Sequence, residues 1–286
     1  MHNRLTRFGF RFAFAAAAML AVCGMGTACA ANQGQDCASG PGPAAVANAA
    51  SFSTLPVNLF GRPEIGWAFY EPLIANEIGT GCDAQSPGFA RALAGWQSKH
   101  RLPPKGIVDT ATLDQLKQVW QARRPFVTNS RHNCPPPPDE KKLAHAAMAE
   151  SYGGKEIMLR PEALAAYRKM VDAARKAGLV PPGGRMLQIF SAYRSPSYDG
   201  ARCAVQMNCN GVVRASCSAH RTALAMDVYL GNAPGLTPDS SADANRLFLS
   251  QQPLYRWMVK NAGHFGFVNY PFEPWHWEYV KPAAKR

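Results

Sequence analysis

Two short segments hold the residues whose types and spacing point to metal-assisted hydrolysis. Residues 218–227 read SAHRTALAMD and residues 273–279 read EPWHWEY. Between them they offer two imidazoles and a carboxylate as metal ligands, those of His220, His276 and Asp227. A catalytic zinc ion takes three protein ligands and leaves its fourth position to a water molecule, which becomes a nucleophile near neutral pH. The pattern therefore predicts a zinc hydrolase.

Hydrolysis of a peptide bond also needs a proton-transfer group and a cation beside the metal. A carboxylate takes the proton of the attacking water and passes it to the leaving amine. Along an ideal strand Glu278 shares a face with His276 and Glu273 does not, although Pro274 can break the strand and return Glu273 to the metal. Both glutamates are therefore candidates. Arg194, in the segment SAYRS, can face the charge that develops on the substrate oxygen.

The N-terminus has the pattern of a secretory signal peptide. Arginines at positions 4, 7 and 11 precede a short apolar run, and Ala28-Cys29-Ala30 offers a cleavage site. A lipid anchor at Cys23 or Cys29 is the alternative, and the residues before those cysteines fit it poorly. No apolar run is long enough to span a bilayer comfortably. We expect an exported protein without a stable membrane anchor, in the periplasm or cell wall after cleavage near Ala30.

The charge of the chain bears on its partners. The formal charge is +12, and loss of residues 1–30, which hold three arginines and no acids, leaves +9. A basic exported protein is attracted to polyanions such as wall polymers, although the charge can also serve solubility alone. No nucleic-acid-binding motif is present, so nucleic acid is not an expected partner. We expect the protein to be a monomer.

The cysteines predict a disulfide framework. Six remain after cleavage, at positions 37, 82, 134, 203, 209 and 217. An even number in an exported chain indicates three disulfides. The sequence leaves their connectivity open, but full pairing needs at least one bridge between the first and second halves of the mature chain. A metal cluster of the last three is disfavoured because they include no C-x-x-C pair.

Composition and punctuation divide the mature chain into four stretches. Residues 31–64 are rich in Ala, Gly, Pro and Ser and predict a linker or irregular leader. Residues 65–126 predict a small helical domain, with one helix starting at Ser86-Pro87 and the next capped by Asp109. Residues 127–140 contain a proline run that reads as a stiff linker. Residues 141–286 form the second domain.

The second domain predicts an α+β fold. An amphipathic helix ends at Gly178, with an apolar face formed by Leu164, Tyr167, Val171 and Ala174. Short strands are predicted over 186–192, 223–230, 265–269 and 275–280. Residues 241–262 predict helices interrupted near Pro253. Helices flanking a mostly antiparallel sheet are the expected architecture.

The helical domain resembles the second half of a peptidoglycan-binding three-helix domain. The stretch FARALAGWQSKHRLPPKGIVDTATLDQL carries the ordered positions of that family, namely Trp96, Gln97, Leu102, Gly106, Val108, Asp109, Thr112 and Leu116. Each position alone is an ordinary core residue. The resemblance implies a module that tethers the protein to peptidoglycan.

The second domain resembles the VanY-type D-alanyl-D-alanine carboxypeptidases, which belong to the lysostaphin-related and Hedgehog-like zinc peptidase folds. That group carries an S-x-H-x-x-G-x-A-x-D motif, a later E-P-W-H motif and an earlier S-A-Y-R-S segment. The matching positions are Ser218, His220, Ala225 and Asp227 in the first motif and residues 273–276 in the second. Two positions depart from the pattern. Ala223 replaces the motif glycine, and Asp199 stands where relatives often have Gln.

The resemblance implies Zn²⁺ as the cofactor, with three ligands: His220, Asp227 and His276. It assigns the acid/base role to Glu273 and leaves Arg194 as the catalytic cation. We also expect substrate contacts from Ser218, Tyr193 and Trp275, although Trp275 can instead belong to the core.

The implied reaction is hydrolysis of the terminal D-Ala-D-Ala bond of stem peptides, with peptidoglycan peptides and glycan as partners. Two alternatives keep the zinc site and change the bond: a crosslink endopeptidase and an L,D-carboxypeptidase. A third is a non-catalytic wall-binding protein with a structural zinc.

Overall fold

The computed structural model describes residues 36–130, 134–205 and 217–280. These belong to one compact unit. We call residues 36–130 the N-terminal region and residues 134–280 the C-terminal region. The predicted signal peptide, with Cys23, Cys29 and the cleavage site near Ala30, lies outside the described residues. None of the helices in the described ranges is long and apolar enough to span a membrane.

The N-terminal region is mainly helical. Its helices are α1 (Gly42–Ser51), α2 (Glu71–Ile78), α3 (Pro87–Lys99), α4 (Thr110–Ala122) and α5 (Pro125–Asn129). Strands β1 (Pro56–Val57) and β2 (Glu64–Ile65) form a short antiparallel pair between α1 and α2. The predicted helix starts are confirmed, because the side chains of Ser86 and Asp109 accept hydrogen bonds from the first turns of α3 and α4.

The prediction of an irregular leader over residues 31–64 is wrong at α1. Alanine is the strongest helix former, and Ala44, Ala45 and Asn48 of α1 are buried. The Asn48 amide donates to the carbonyl of Gly106 at 2.9 Å and accepts from the backbone N–H of Val108 at 2.8 Å. These long-range contacts stabilise a segment whose composition alone resembles a linker.

The C-terminal region combines helices with antiparallel strands. Strands β3 (Ala144–His145) and β4 (Met158–Leu159) pair with each other. The remaining elements are α6 (Pro161–Lys176), β5 (Ile189–Ser191), α7 (Pro196–Val205), β6 (Ala225–Val228), α8 (Asp243–Gln251), α9 (Pro253–Asn261), β7 (Phe267–Tyr270) and β8 (Glu273–Tyr279). The predicted α+β class, the helix before Gly178, the break at Pro253 and the four predicted strands are confirmed.

The main sheet positions the chemistry. Its strand order is β5-β6-β8-β7, and every neighbouring pair is antiparallel. Asp227 on β6 is the direct Cα partner of His276 on β8. The buried faces of α6, α8 and α9 join the sheet in one hydrophobic core.

The N-terminal region has a separate hydrophobic core, and Val259 of α9 packs against both. Buried charge also joins the two regions. The Arg246 guanidinium contacts the Glu64 carboxylate and donates to the Tyr70 hydroxyl at 2.8 Å, and all three side chains are buried. The division into two domains at residues 127–140 stays a prediction.

Disulfides fix both regions. Cys37 is bonded to Cys82 within the N-terminal region. Cys134, which directly precedes the prolines of residues 135–138 (the proline segment), is bonded to Cys217. The second bond is the predicted bridge between the halves of the mature chain. Cys203 is disulfide-bonded as well, and Cys209 lies outside the described residues.

Candidate active site

Three side chains from neighbouring elements converge at one end of the main sheet. His220 lies on a 3-10 turn, Ala219–Thr222, that leads into β6, where Asp227 follows. His276 lies beside Asp227 on β8. One ligand atom from each lies within 4.8 Å of the others, and all three residues are buried.

The hydrogen bonds of the two imidazoles decide which nitrogen each one presents. Nδ1 of His220 donates to the carbonyl of Ala192 at 2.7 Å, so its Nε2 is the free lone pair, and it lies 3.2 Å from Oδ2 of Asp227. His276 is turned the other way. Its Nδ1 lies 2.8 Å from Oδ1 of Asp227, and its Nε2 faces Oε1 of Glu278 at 3.4 Å.

Burial and charge separate the two histidines in their proton affinity. Burial lowers the pKa of His220 to about 4, and the nearby Arg194 cation acts in the same direction. Burial also opposes the charged form of His276, but Asp227 and Glu278 outweigh it and raise the pKa of His276 to about 9. The pKa of Asp227 lies well below its usual range, because the two imidazoles outweigh its burial.

The donor set fits a zinc ion. Tetrahedral zinc with ligands at about 2.1 Å places their donor atoms about 3.4 Å apart. The closest contacts here, 3.2 Å from His220 Nε2 and 2.8 Å from His276 Nδ1 to the Asp227 carboxylate, are near that value. Two imidazoles and one carboxylate are also a combination of ligands that binds zinc in proteins. The three residues can therefore hold this metal.

Glu273 lies on the metal-facing side of His276. Its Oε2 is 3.9 Å from His276 Nδ1. The β7–β8 pairing is irregular at this point, since Asn269 pairs with Trp277 while the next residue pairs with Glu273. The extra residues bulge around Pro274, and this is the break that the sequence predicts as the condition for Glu273 to reach the metal. Desolvation in the cleft raises the pKa of its carboxyl.

Asn269 holds this bulge in shape. Its side-chain amide donates to the carbonyl of His276 at 2.8 Å and lies 3.3 Å from that of Glu273. The hydroxyl of Tyr255 donates in turn to the Asn269 oxygen at 3.1 Å. The backbone that carries both Glu273 and His276 is therefore anchored from β7 and α9.

Glu278, the other candidate for the acid/base role, is held by contacts with the N-terminal region. Glu278 is 2% exposed and receives hydrogen bonds from the Arg124 side chain at 2.8 Å and the Phe126 backbone at 3.2 Å. Burial would raise its pKa, but His276 and Arg124 lower it to about 2. Glu278 also faces the nitrogen of His276 that points away from Asp227. It is therefore a poor proton acceptor, and it lies on the wrong side of the imidazole.

Arg194 and Ser218 meet at Asp199. Nε of Arg194 lies 3.2 Å from Oδ1 of Asp199, and the Ser218 hydroxyl donates to Oδ2 at 2.6 Å. Asp199 is buried, whereas the Arg194 side chain keeps 15% exposure. The aspartate thus orients both groups beside His220, whose backbone carbonyl also accepts from the N–H of Arg194.

These residues line a cavity of about 460 Å³. His220, Asp227, His276 and Glu273 line it, and so do Arg194 and Ser218. Further cations and an acid line the same space, namely Lys155, Arg202, Arg124 and Asp239. The arrangement is a polar cleft with a metal-competent triad, a carboxyl group of raised pKa and positive charge for an acidic ligand.

A family model for VanY, described as D-alanyl-D-alanine carboxypeptidase, matches residues 156–282. This segment is a VanY-family domain. The triad, Glu273 and Arg194 all fall inside it. No curated protein matches the chain significantly.

Solved structures similar to this chain include three carboxypeptidases or pentapeptidases. The LdcB LD-carboxypeptidase, whose structure concerns peptidoglycan recognition, is 22% identical over 51% of this chain and 72% of its own, with a TM-score of 0.38. VanYB in complex with D-alanine-D-alanine is 20% identical over 53% and 83%, with a TM-score of 0.33. A mutant VanY D,D-pentapeptidase from a VanB-type vancomycin resistance cassette, with Zn(II), is 19% identical over 51% and 83%, with a TM-score of 0.30.

The motif position occupied by Ala223 has a left-handed backbone in this VanY domain. Its φ is +54°, a conformation that favours glycine, and the residue is fully buried. The N–H of Ala223 donates to the His220 carbonyl at 3.1 Å, and its carbonyl accepts from Arg160 at 2.9 Å. An alanine is strained in this conformation, and the hydrogen bonds of the turn that carries His220 hold it in place.

The predicted substrate-binding residues of the VanY domain occupy different places. Ser218 lines the cavity, and so does Trp275, which is 3% exposed and belongs to the hydrophobic core. Tyr193 is not among the described residues that line the cavity. Its hydroxyl instead donates to Glu140 at 2.9 Å. The substrate contact of Tyr193 stays a prediction.

Sequence reasoning missed the residues that reach the cleft from outside the VanY domain. Gln121, Arg124, Phe126 and Val127 of the N-terminal region line the cavity. No motif marks them, since they lie at the end of an ordinary helix and the start of a short one. Asp199 did carry a signal, as a departure from the family pattern.

Proposed function

We propose that this protein is a zinc-dependent carboxypeptidase of bacterial peptidoglycan that removes the terminal D-alanine from stem peptides ending in D-Ala-D-Ala. The observation that carries the proposal is the convergence of His220, Asp227 and His276 within 4.8 Å in a cleft that Glu273 and Arg194 also line. The D-alanyl-D-alanine carboxypeptidase family model over residues 156–282 supports the substrate class.

Each side chain of the cleft has a role in this reaction. A zinc ion on the triad would supply Lewis-acid chemistry, polarising the scissile carbonyl and lowering the pKa of a water molecule. Glu273 takes the proton of the attacking water at its carboxylate and delivers it to the nitrogen of the leaving D-alanine. Its raised pKa suits both steps. The Arg194 guanidinium, held by Asp199, stabilises the negative charge that develops on the carbonyl oxygen.

The charge of the cleft supports an acidic peptide as substrate. Lys155 and Arg202 line the cavity as Arg194 does, and neither has an ion-pair partner among the described residues. The C-terminal carboxylate of a stem peptide lies close to the scissile bond. Cations without an ion-pair partner therefore attract this end of the peptide into the cleft. The expected export of the chain places the enzyme where such peptides occur. We further propose that the N-terminal region tethers it to peptidoglycan.

Turnover of defined peptides tests the proposal. The purified protein is incubated with a pentapeptide stem ending in D-Ala-D-Ala, before and after removal of metal by a chelator and after zinc is restored. The expected result is release of one D-alanine that stops on chelation and returns with zinc. Absence of zinc-dependent release would reject the D,D-carboxypeptidase assignment.

Two further substrates separate the other bonds that the same site can cut. Release of D-alanine from a tetrapeptide stem and not from the pentapeptide would assign an L,D-carboxypeptidase. Conversion of crosslinked dimers to monomers would assign an endopeptidase. Zinc bound at one equivalent with no turnover of the three substrates would leave a wall-binding protein with structural zinc.

A further inference from the structure

A buried arginine of the N-terminal region reaches the metal-competent triad. Arg124 follows α4 and precedes α5, outside the segment that matches the VanY model. It is 6% exposed. Its Nε donates to Oε1 of Glu278 at 2.8 Å, and its Nη2 lies 2.6 Å from the same oxygen. Its Nη1 donates to the side-chain oxygen of Gln121 at 2.8 Å.

Further contacts fix the plane of this guanidinium. It lies over the ring of Tyr270, with 3.9 Å from its central carbon to the ring centroid. The Tyr270 ring is in turn 6.0 Å from the imidazole of His276. An arginine that shares two of its nitrogens with one carboxylate oxygen, stacks on a ring and donates to an amide oxygen has little freedom to move. Its position is set by the N-terminal region, β7 and β8 together.

Glu278 connects this arginine to the triad. Its second oxygen accepts from the backbone N–H of Phe126 at 3.2 Å. Its first oxygen faces Nε2 of His276 at 3.4 Å. A metal bound at Nδ1 of His276 requires the proton of the ring to be on Nε2, and Glu278 is the carboxylate that faces it. Carboxylates in this position orient a ligating histidine and fix its tautomer.

We propose that Arg124 is a positioning residue of the zinc site, which holds Glu278 against His276 and so makes the N-terminal region a part of the active site. The inference rests on the proposed zinc-dependent function. Without the arginine, Glu278 would be a buried carboxylate that lacks its cation, and such a group reorients towards other donors or water. That movement releases the His276 imidazole.

The contacts of Arg124 differ from those that only join the two regions. Arg246 also pairs with a glutamate across the junction, but its polar side-chain partners, Glu64, Tyr70 and Asp243, have no contact with the triad among those of the described residues. Arg123, the neighbour of Arg124, pairs with Glu77 inside the N-terminal region at 2.6 Å. The link to a metal ligand is therefore a property of Arg124 and not of buried or paired arginines in general.

Zinc affinity of the full chain measures the effect directly, without substrate. The Arg124→Met variant is titrated with zinc against a chromogenic chelator, beside wild type and the matched control Arg123→Met. We expect the zinc dissociation constant to rise by about 10- to 100-fold in Arg124→Met and to stay within twofold in the control. Glu278→Gln should show a similar rise, and the double variant should add little, because both act through one contact.

Kinetics and stability complete the test. At saturating zinc, Arg124→Met should lose kcat more than it changes KM, and Arg124→Lys should recover part of the zinc affinity. If Arg124→Met does not fold, Arg124→Lys and Glu278→Gln carry the comparison. Wild-type zinc affinity in soluble Arg124 variants, with only a lower thermal midpoint, would overturn the inference. Failure of the wild type to bind zinc would instead reject the proposed function.

Discussion

Asp227 and His276 are direct partners on adjacent antiparallel strands, and their side chains meet with 2.8 Å between Oδ1 and Nδ1. The register of β6 against β8 therefore sets the geometry of the candidate metal centre. A slip of one residue would turn one of the two side chains to the opposite face of the sheet. The core residues that alternate with them, such as Met226 and Trp277, stabilise the observed register.

Removal of one ligand should abolish zinc binding. Asp227 contacts both imidazoles, so Asp227→Ala should lower bound zinc from about one equivalent to less than about 0.1. Metal analysis after dialysis measures this. Asp239→Ala is the matched control, because Asp239 lines the same cavity but lies outside the triad. Equal zinc content in the two variants would argue against this metal centre.

Zinc binding should depend on pH through His276. Its pKa is raised to about 9 in the metal-free site, so the imidazole holds an extra proton at pH 7. Zinc must displace that proton from Nδ1. The apparent dissociation constant should therefore fall about tenfold per pH unit between pH 6 and 9, and level off above. Competition titrations at controlled free zinc test this, and a flat profile would contradict it.

Substitution of the two glutamates beside His276 should lower kcat to different extents. Glu273→Gln keeps the shape of the side chain but cannot accept a proton, so kcat should fall by about 100- to 10,000-fold while zinc stays bound. At saturating zinc, Glu278→Gln should lower kcat much less, because Glu278 contacts the nitrogen of His276 that points away from Asp227. Assays of D-alanine release compare the two. A larger loss in Glu278→Gln would reverse the assignment.

The left-handed turn before β6 should respond to glycine. An L-residue in this conformation costs about 1–2 kcal/mol. A glycine avoids that cost but loses about 0.4–1 kcal/mol of stability, because it makes the unfolded chain more flexible. Ala223→Gly should therefore raise the free energy of unfolding by up to about 1 kcal/mol. Ala163→Gly, at a fully buried helical alanine of α6, should lower it instead. Denaturant unfolding of both variants checks the opposite signs.

The buried charge between the regions should be costly to break. Arg246→Met leaves the Glu64 carboxylate buried without its cation, and we expect a loss of about 3–5 kcal/mol. Arg62→Met removes a pair with Asp243 whose side chains are 30% and 45% exposed, and it should cost less than about 1 kcal/mol. Similar losses in chemical denaturation would contradict the importance of burial at Arg246.

Local patterns predicted much of the fold. Neighbours within one turn determine the helix starts at Ser86 and Asp109 and the break at Pro253. The local sequence was therefore sufficient to predict them. The two metal-site segments were also recognisable, since their ligands are closely spaced. What they do in this protein stays a proposal.

Long-range contacts escaped prediction. Helix α1 lies in a stretch whose composition resembles a linker, and its contacts with Gly106 and Val108 are 58 and 60 residues away. The Arg124 pair with Glu278 spans 154 residues. Nothing in the letters around either residue indicates such a partner, because the contact exists only after both regions have folded.

The buried ion pairs between the N-terminal and C-terminal regions limit how the gene can recombine. Glu64 and Arg124 lie before residue 130, while Arg246 and Glu278 lie after it, so each region carries one buried anion and one buried cation that need the other region. A gene fusion that transplanted residues 156–282 alone would carry Arg246 without Glu64 and Glu278 without Arg124. We therefore expect recombination between the two regions to require compensating changes at these four positions.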